Sequence, residues 1–179
     1  MRKIIYSLFI SLSMLLTACS STKSIQEYYV DNSENPNFIS FDLPASLLNL
    51  DKAALSAKQK EAISSLKKLN ILAFQKTTEN IAAYRAEKVN VKAILKNDKF
   101  QDLMKLNTEY GKGVIKYLGD SDAIDEVIIF GDNIDKGFML IRVLGNDMNP
   151  SHLMDVVNAL KKSDFDLEQL KGLGNFFEK

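Results

Sequence analysis

One thiol stands in the chain, Cys19, and it closes the run Leu16-Thr17-Ala18-Cys19. A thiol is the nucleophile that can carry a diacylglycerol thioether. A peptidase cutting before such a cysteine needs a branched apolar residue three positions upstream and small residues at the bond. Leu16, Thr17 and Ala18 meet those needs, so the run reads as a bacterial lipobox with Cys19 as the lipidation site. The competing reading is an ordinary export leader that happens to contain a cysteine. A single cysteine closes no internal disulfide, and with one histidine beside it little remains for a soft-metal site.

Other residues with chemical capacity are His152, flanked by Ser151 and Asp155, and the acidic turns. His152 falls near the start of an expected helix, where the positive end of the helix favours the neutral ring. Ser151 and Asp155, one and three positions away, do not by themselves make a nucleophile–base–orienter line, so a packing role is expected. Asp120, Asp122, Asp125 and Glu126 cluster before a strand, and Asp132, Asn133 and Asp135 follow it. All-oxygen groups suit calcium or magnesium, yet "DNIDKG" lacks the alternate-ligand spacing of an EF-hand loop and no glutamate closes it. They read as turn residues. Among so many acids a carboxylate pair is always available and decides nothing. Phosphate-loop, dinucleotide and nucleophile-elbow signatures are missing from the sequence. No catalytic, cofactor-binding or metal residue is therefore assigned, and no cofactor is expected.

Those residues depend on the segments that carry them. Arg2 and Lys3 precede an apolar stretch, Ile4 to Leu16, of 13 residues. At about 1.5 Å per residue it is too short to span a hydrocarbon core of roughly 30 Å, and it reads as a leader. Residues 1–18 are thus expected to be a lipoprotein signal peptide, 19–37 a lipidated tether and 38–179 a single domain. Loss of Arg2 and Lys3 leaves 21 basic against 23 acidic residues, a formal charge of −2. That balance excludes a strongly basic nucleic-acid binder and disfavours lying flat on anionic lipid. Three acyl chains on Cys19, palmitate among them, would hold where one chain binds only marginally. Ser20 after the cysteine, in place of aspartate, favours the outer membrane, and the periplasmic face is expected. Within the tether, Tyr28, Tyr29 and Val30 either form a short helix packed on the domain or sit at the lipid interface; the first is the expectation.

The domain should open with a short strand, "FISFD". A helix capped by Ser56 runs to about Lys68, with Lys58, Lys60, Lys67 and Lys68 as its solvated side. "NILAFQK" (70–76) is a second strand. A helix follows with Ile81, Tyr84, Val91, Ile94 and Leu95 inward, and another from Asn97 or Asp98 with Phe100, Leu103 and Met104 inward. "GVIKYLG", "IDEVIIFG" and "GFMLIRVLG" are three strands joined by tight turns and so paired antiparallel. Asn149 and Pro150 open a last helix with Leu153, Val156, Val157 and Leu160 buried. A short turn and Phe176 and Phe177 end the chain. The expected fold is α+β: one mixed five-stranded sheet, its first strand-helix-strand unit parallel and right-handed, with helices mainly on one face.

"ILAFQKT", "VIIFGDNIDKGFMLIRVLGNDMNPSHLMDVVNAL" and the lipobox together resemble the DUF4252 family of small exported proteins of Bacteroidota, often lipoproteins. The likeness is strongest from Ile124 to Leu160. It implies an envelope lipoprotein and carries no active site with it. The expected role is a non-enzymatic binding or assembly module held on membrane lipid through Cys19, with an envelope protein as partner and no nucleic acid. The alternatives are a small carboxylate-dependent hydrolase or a regulator of envelope stress signalling.

Overall fold

The computed structural model describes residues 23–48, 56–108, 111–120 and 123–149. The expected leader, Cys19, and the segment from Pro150 through Ser151, His152 and Asp155 to the C-terminus, Phe176 and Phe177 included, lie outside them.

Helix α1 (Ile25–Asn32) starts on a complete capping box: the Ser24 side chain accepts from the Glu27 N–H, and the Glu27 carboxylate accepts from the Ser24 N–H. It packs on the domain, burying Ile25, Tyr28 and Tyr29 and leaving Val30 outside. β1 (Phe38–Pro44) leads through a 3-10 turn (Ala45–Leu48) to α2 (Ala57–Ser64), β2 (Leu66–Gln75) and α3 (Ile81–Ile94). β3 (Gln101–Thr108), β4 (Gly111–Asp120), β5 (Ala123–Asn133) and β6 (Gly137–Met148) follow. The six strands form one sheet in the order β1-β2-β6-β5-β4-β3, every neighbouring pair antiparallel.

The α+β class holds, but the mixed five-stranded sheet does not. Two local causes account for the difference. A parallel crossover must carry the chain back along the whole strand, and an eight-residue helix spans only about 12 Å. α2 stops early because the Ser64 and Ser65 hydroxyls donate back to the carbonyls of Glu61 and Ala62, 2.7 Å away in both cases, in place of a further turn. Leu66 then begins β2, which runs antiparallel to β1. The second cause is a β-bulge. Phe100, Leu103 and Met104 suggest a helix by spacing, but the register of β3 against β4 slips between Asp102 and Met104. The extra residue shifts the phase of the alternation and imitates a helical repeat. Asn97 serves as a turn residue instead, its side chain accepting from the Lys99 N–H.

Strand alternation divides the core between the two faces of the sheet. On the first face Phe38 stands opposite Phe74, and Phe74 opposite Phe138. The Phe74 and Phe138 rings stack with centroids 5.4 Å apart, and Phe38 meets both edge-on. α1 and α3 cover this cluster with Tyr28, Tyr84, Val91 and Ile94. The second face carries Leu69, Ile71, Val127 and Val143 under Ala62 of α2. At the turn into β6, Gly137 has φ +122°, and a side chain there would collide with the carbonyl oxygen of Phe74.

Candidate functional site

On the first face, α3 crosses the inner strands and leaves the outer strands uncovered beside it. The result is a cleft of about 530 Å³ between the C-terminal half of α3 and β3–β4. Its floor is apolar: Leu95 from the helix, Val114 from β4, Phe130 from β5. Its rim is cationic. Lys112 and Lys116 flank Val114 on the same face of β4, as a two-residue repeat requires. Lys105 stands opposite Val114, and Lys92 and Lys96 reach in from α3 and the turn after it. Five lysines meet two aspartates there, Asp102 and Asp132, leaving three positive charges in excess.

Both aspartates are already engaged. The Lys116 ammonium sits 2.5 Å from Asp102 Oδ1, and that contact holds the Asp102 carboxyl below its ordinary 3.8. Asp132 accepts from the Tyr84 hydroxyl at 2.6 Å and lies 2.5 Å from Lys88 Nζ, which also donates to the Tyr84 oxygen at 3.1 Å. Burial opposes the charge of Lys88, but Asp132 and Tyr84 outweigh it and raise the lysine above its usual 10.5. Burial, with Asp132 beside it, likewise raises the Tyr84 phenol, which stays neutral and donates. Lys76 and Lys88 both lie over the Tyr84 ring, 5.4 and 5.2 Å from its centroid. The side chains of Lys92, Lys96 and Lys112 make no ion pair or hydrogen bond among the described residues.

A second polar group lies further along the same face. Glu126, on β5, is 7% exposed and takes a two-pronged grip from Arg142 on β6, Nε at 2.6 Å and Nη2 at 2.8 Å. Beside it the Asn70 amide donates to the Asp42 carboxylate. The Tyr29 hydroxyl is buried nearby, with the Ser40 side chain beside it, and burial first, then the Asp42 charge, raises its pKa.

The acidic turns separate into different tasks. Glu126 and Asp132 point into the first face as described. Asn133 Oδ1 accepts from the N–H groups of Asp135 and Lys136 and so shapes the β5–β6 turn. Asp125 is exposed. Among the described residues no three of these side chains gather as a metal set. Lys58, Lys60, Lys67 and Lys68 are all solvent-exposed, but only the first two lie on α2. Lys67 and Lys68 belong to β2, because the helix expected to run to Lys68 ends at Ser64.

The cleft itself is legible only in fragments. Lys88, Lys92 and Lys96 recur every four residues, a stripe on one helical face, and Lys112 and Lys116 alternate on a strand. Neither pattern says that the two meet.

A family model described as "Domain of unknown function (DUF4252)" matches residues 28–156. No curated protein and no solved structure matches the chain.

Proposed function

Because the chain belongs to the DUF4252 family, a membership that assigns no activity, we propose a role drawn from the site: a lipid-anchored envelope module that binds an anionic ligand in the lysine cleft without transforming it. The observation that carries this is a concave surface whose lining holds three more lysines than aspartates around an apolar floor. Unpaired cations converging on one cavity, in a mature chain of formal charge −2, favour a negatively charged occupant.

A carboxylate-dependent hydrolase is the weaker reading on the same geometry. It needs an acid held in its protonated form, with a raised pKa. In the cleft Asp102 is shifted the other way by Lys116, and Asp132 is spent on Lys88 and Tyr84. Regulation of envelope stress signalling finds no particular support in this geometry.

Anchoring rests on the lipobox. Cys19 is proposed to carry the acyl chains, palmitate included, with the domain on the periplasmic face of the outer membrane and an envelope protein as a further partner. Mass spectrometry of protein extracted from the native host should find an N-terminal Cys19 bearing acyl chains; a chain still starting at Met1, or a bare thiol, defeats the anchor. The mature chain, despite its net negative charge, should be retained on phosphocellulose and released by salt. Lys92→Gln with Lys96→Gln should flow through. Equal retention of that variant would remove the cleft as the binding face.

A further inference from the structure

The position of α1 says where the cleft is held. Lys23, just before that helix, pairs with Asp31 at 2.6 Å, and Tyr28 donates to Glu87 of α3 at 2.8 Å. Lys23 shares a cavity of about 370 Å³ with Glu87, Asn90 and Ile94, so the first of the described residues lies against α3 itself. Only Ser20, Ser21 and Thr22 separate Cys19 from Lys23, and the four Cα-to-Cα steps reach at most about 14 Å when fully extended. The lysine stripe lies on the other flank of the same helix, roughly 10–12 Å across. An acyl anchor on Cys19 thus keeps the cleft close to the bilayer surface.

The surface turned outward there suits such a neighbour. Val30 on α1 and Val89 on α3 are 67% and 65% exposed, and Arg85 and Lys92 on α3 and Lys96 in the turn after it are exposed. Apolar tips among cations are what an interface between water and lipid accommodates.

We propose that the α1–α3 layer faces the membrane and that the lysine cleft takes the phosphate headgroup of an anionic phospholipid, the unpaired ammonium groups of Lys92, Lys96 and Lys112 meeting its oxygens. The proposal rests on the lipid-anchored reading above and adds a second, electrostatic attachment to it. Its consequence is a fixed orientation: the chain would be pinned at two points and the second face of the sheet turned outward, away from the bilayer.

The test uses the mature chain made without its leader and with Cys19→Ser, so that no acyl chain masks headgroup binding. It is sedimented with vesicles of phosphatidylcholine, alone or with a third of phosphatidylglycerol. Binding is expected to the mixed vesicles only, and to be lost in high salt. Each lysine near the surface adds about fivefold, so the Lys92→Gln, Lys96→Gln, Lys112→Gln variant should bind on the order of a hundredfold more weakly. An unchanged melting temperature shows that this variant is folded. Equal binding to both vesicles, or full binding by the variant, overturns the proposal. So does stoichiometric binding of inorganic phosphate that displaces the vesicles, which would make a free anion the occupant. Capture of an acidic envelope protein with no vesicle binding overturns it as well. Mass spectrometry of Cys19 separates the two layers: acylated protein without vesicle binding removes the headgroup site alone, whereas a bare Cys19 removes the anchor whatever the vesicles show.

Discussion

Two polar groups share the first face of this sheet, and they are built in opposite ways. At one, Arg142 and Glu126 are matched atom for atom, and Asn70 is matched to Asp42. At the other, five lysines converge on two aspartates. In the first, Glu126, Arg142 and Asn70 are largely buried, though Asp42 reaches solvent; the second is open. A buried charge is tolerated when its partner comes from the fold, because desolvation costs several kcal/mol per ion otherwise. Charges left over beside a cavity do not serve the fold in that way. They repel one another in the free protein and gain when something anionic arrives.

The sharpest way to break this contrast is to remove one member of the matched pair. Glu126→Ala leaves the Arg142 guanidinium, its side chain only 13% exposed, without an anion. The expected loss is about 3–5 kcal/mol of unfolding free energy, read by urea denaturation. A loss below about 1 kcal/mol would place the pair with ordinary surface ion pairs and erase the difference between the two regions.

How much of this was legible beforehand depends on the distance over which the information is encoded. β4, β5 and β6 show their alternation locally, and the turn Asn133–Gly137 is written in residues that accept from their own backbone. α3 is legible too: Tyr84, Val91, Ile94 and Leu95 are buried as their spacing requires, although Ile81 stays exposed. β3 is not, because its bulge imitates a helical repeat. The direction of β2 is not, because it turns on where α2 ends, and two serine hydroxyls decide that. The pairing of Glu126 with Arg142 spans 16 residues and needs the β5–β6 register. The cleft needs more still: the lie of α3 across the sheet and the exposure of the outer strands, neither of which any short stretch of sequence encodes. Net charge misled for the same reason, since a total of −2 conceals a local excess of three cations.

At the unmatched site the expected effect on stability is much smaller. Lys92→Gln with Lys96→Gln removes a like-charge pair four residues apart, a gain of about 0.2–0.5 kcal/mol. The same change removes two cations from the C-terminal end of α3, where the helix dipole favours them by about 0.3–1 kcal/mol each. The terms oppose, so the melting temperature should barely move while anion binding falls. A large destabilisation would show that these lysines support the fold after all, and the contrast between the two regions would fail.

The smallest effect tests a matched pair inside the open region, the Asp102–Lys116 pair on the cleft's rim. Asp102 is solvent-exposed, so its pairing is screened and stabilises little. Its direction with pH is nonetheless fixed. Lys116 lowers the folded-state pKa below the ordinary 3.8, so the pair's contribution is present above that value and disappears as pH falls through the lower, folded-state one. Thermal unfolding of the parent and of Asp102→Asn should therefore differ slightly at neutral pH and converge in acid. Glu126→Ala should stay far below both at neutral pH, because its deficit is a largely buried guanidinium left without its carboxylate. If the Asp102→Asn gap instead widened in acid, Asp102 would hold a proton rather than an ion pair, and the rim would carry the raised acid that a hydrolase needs.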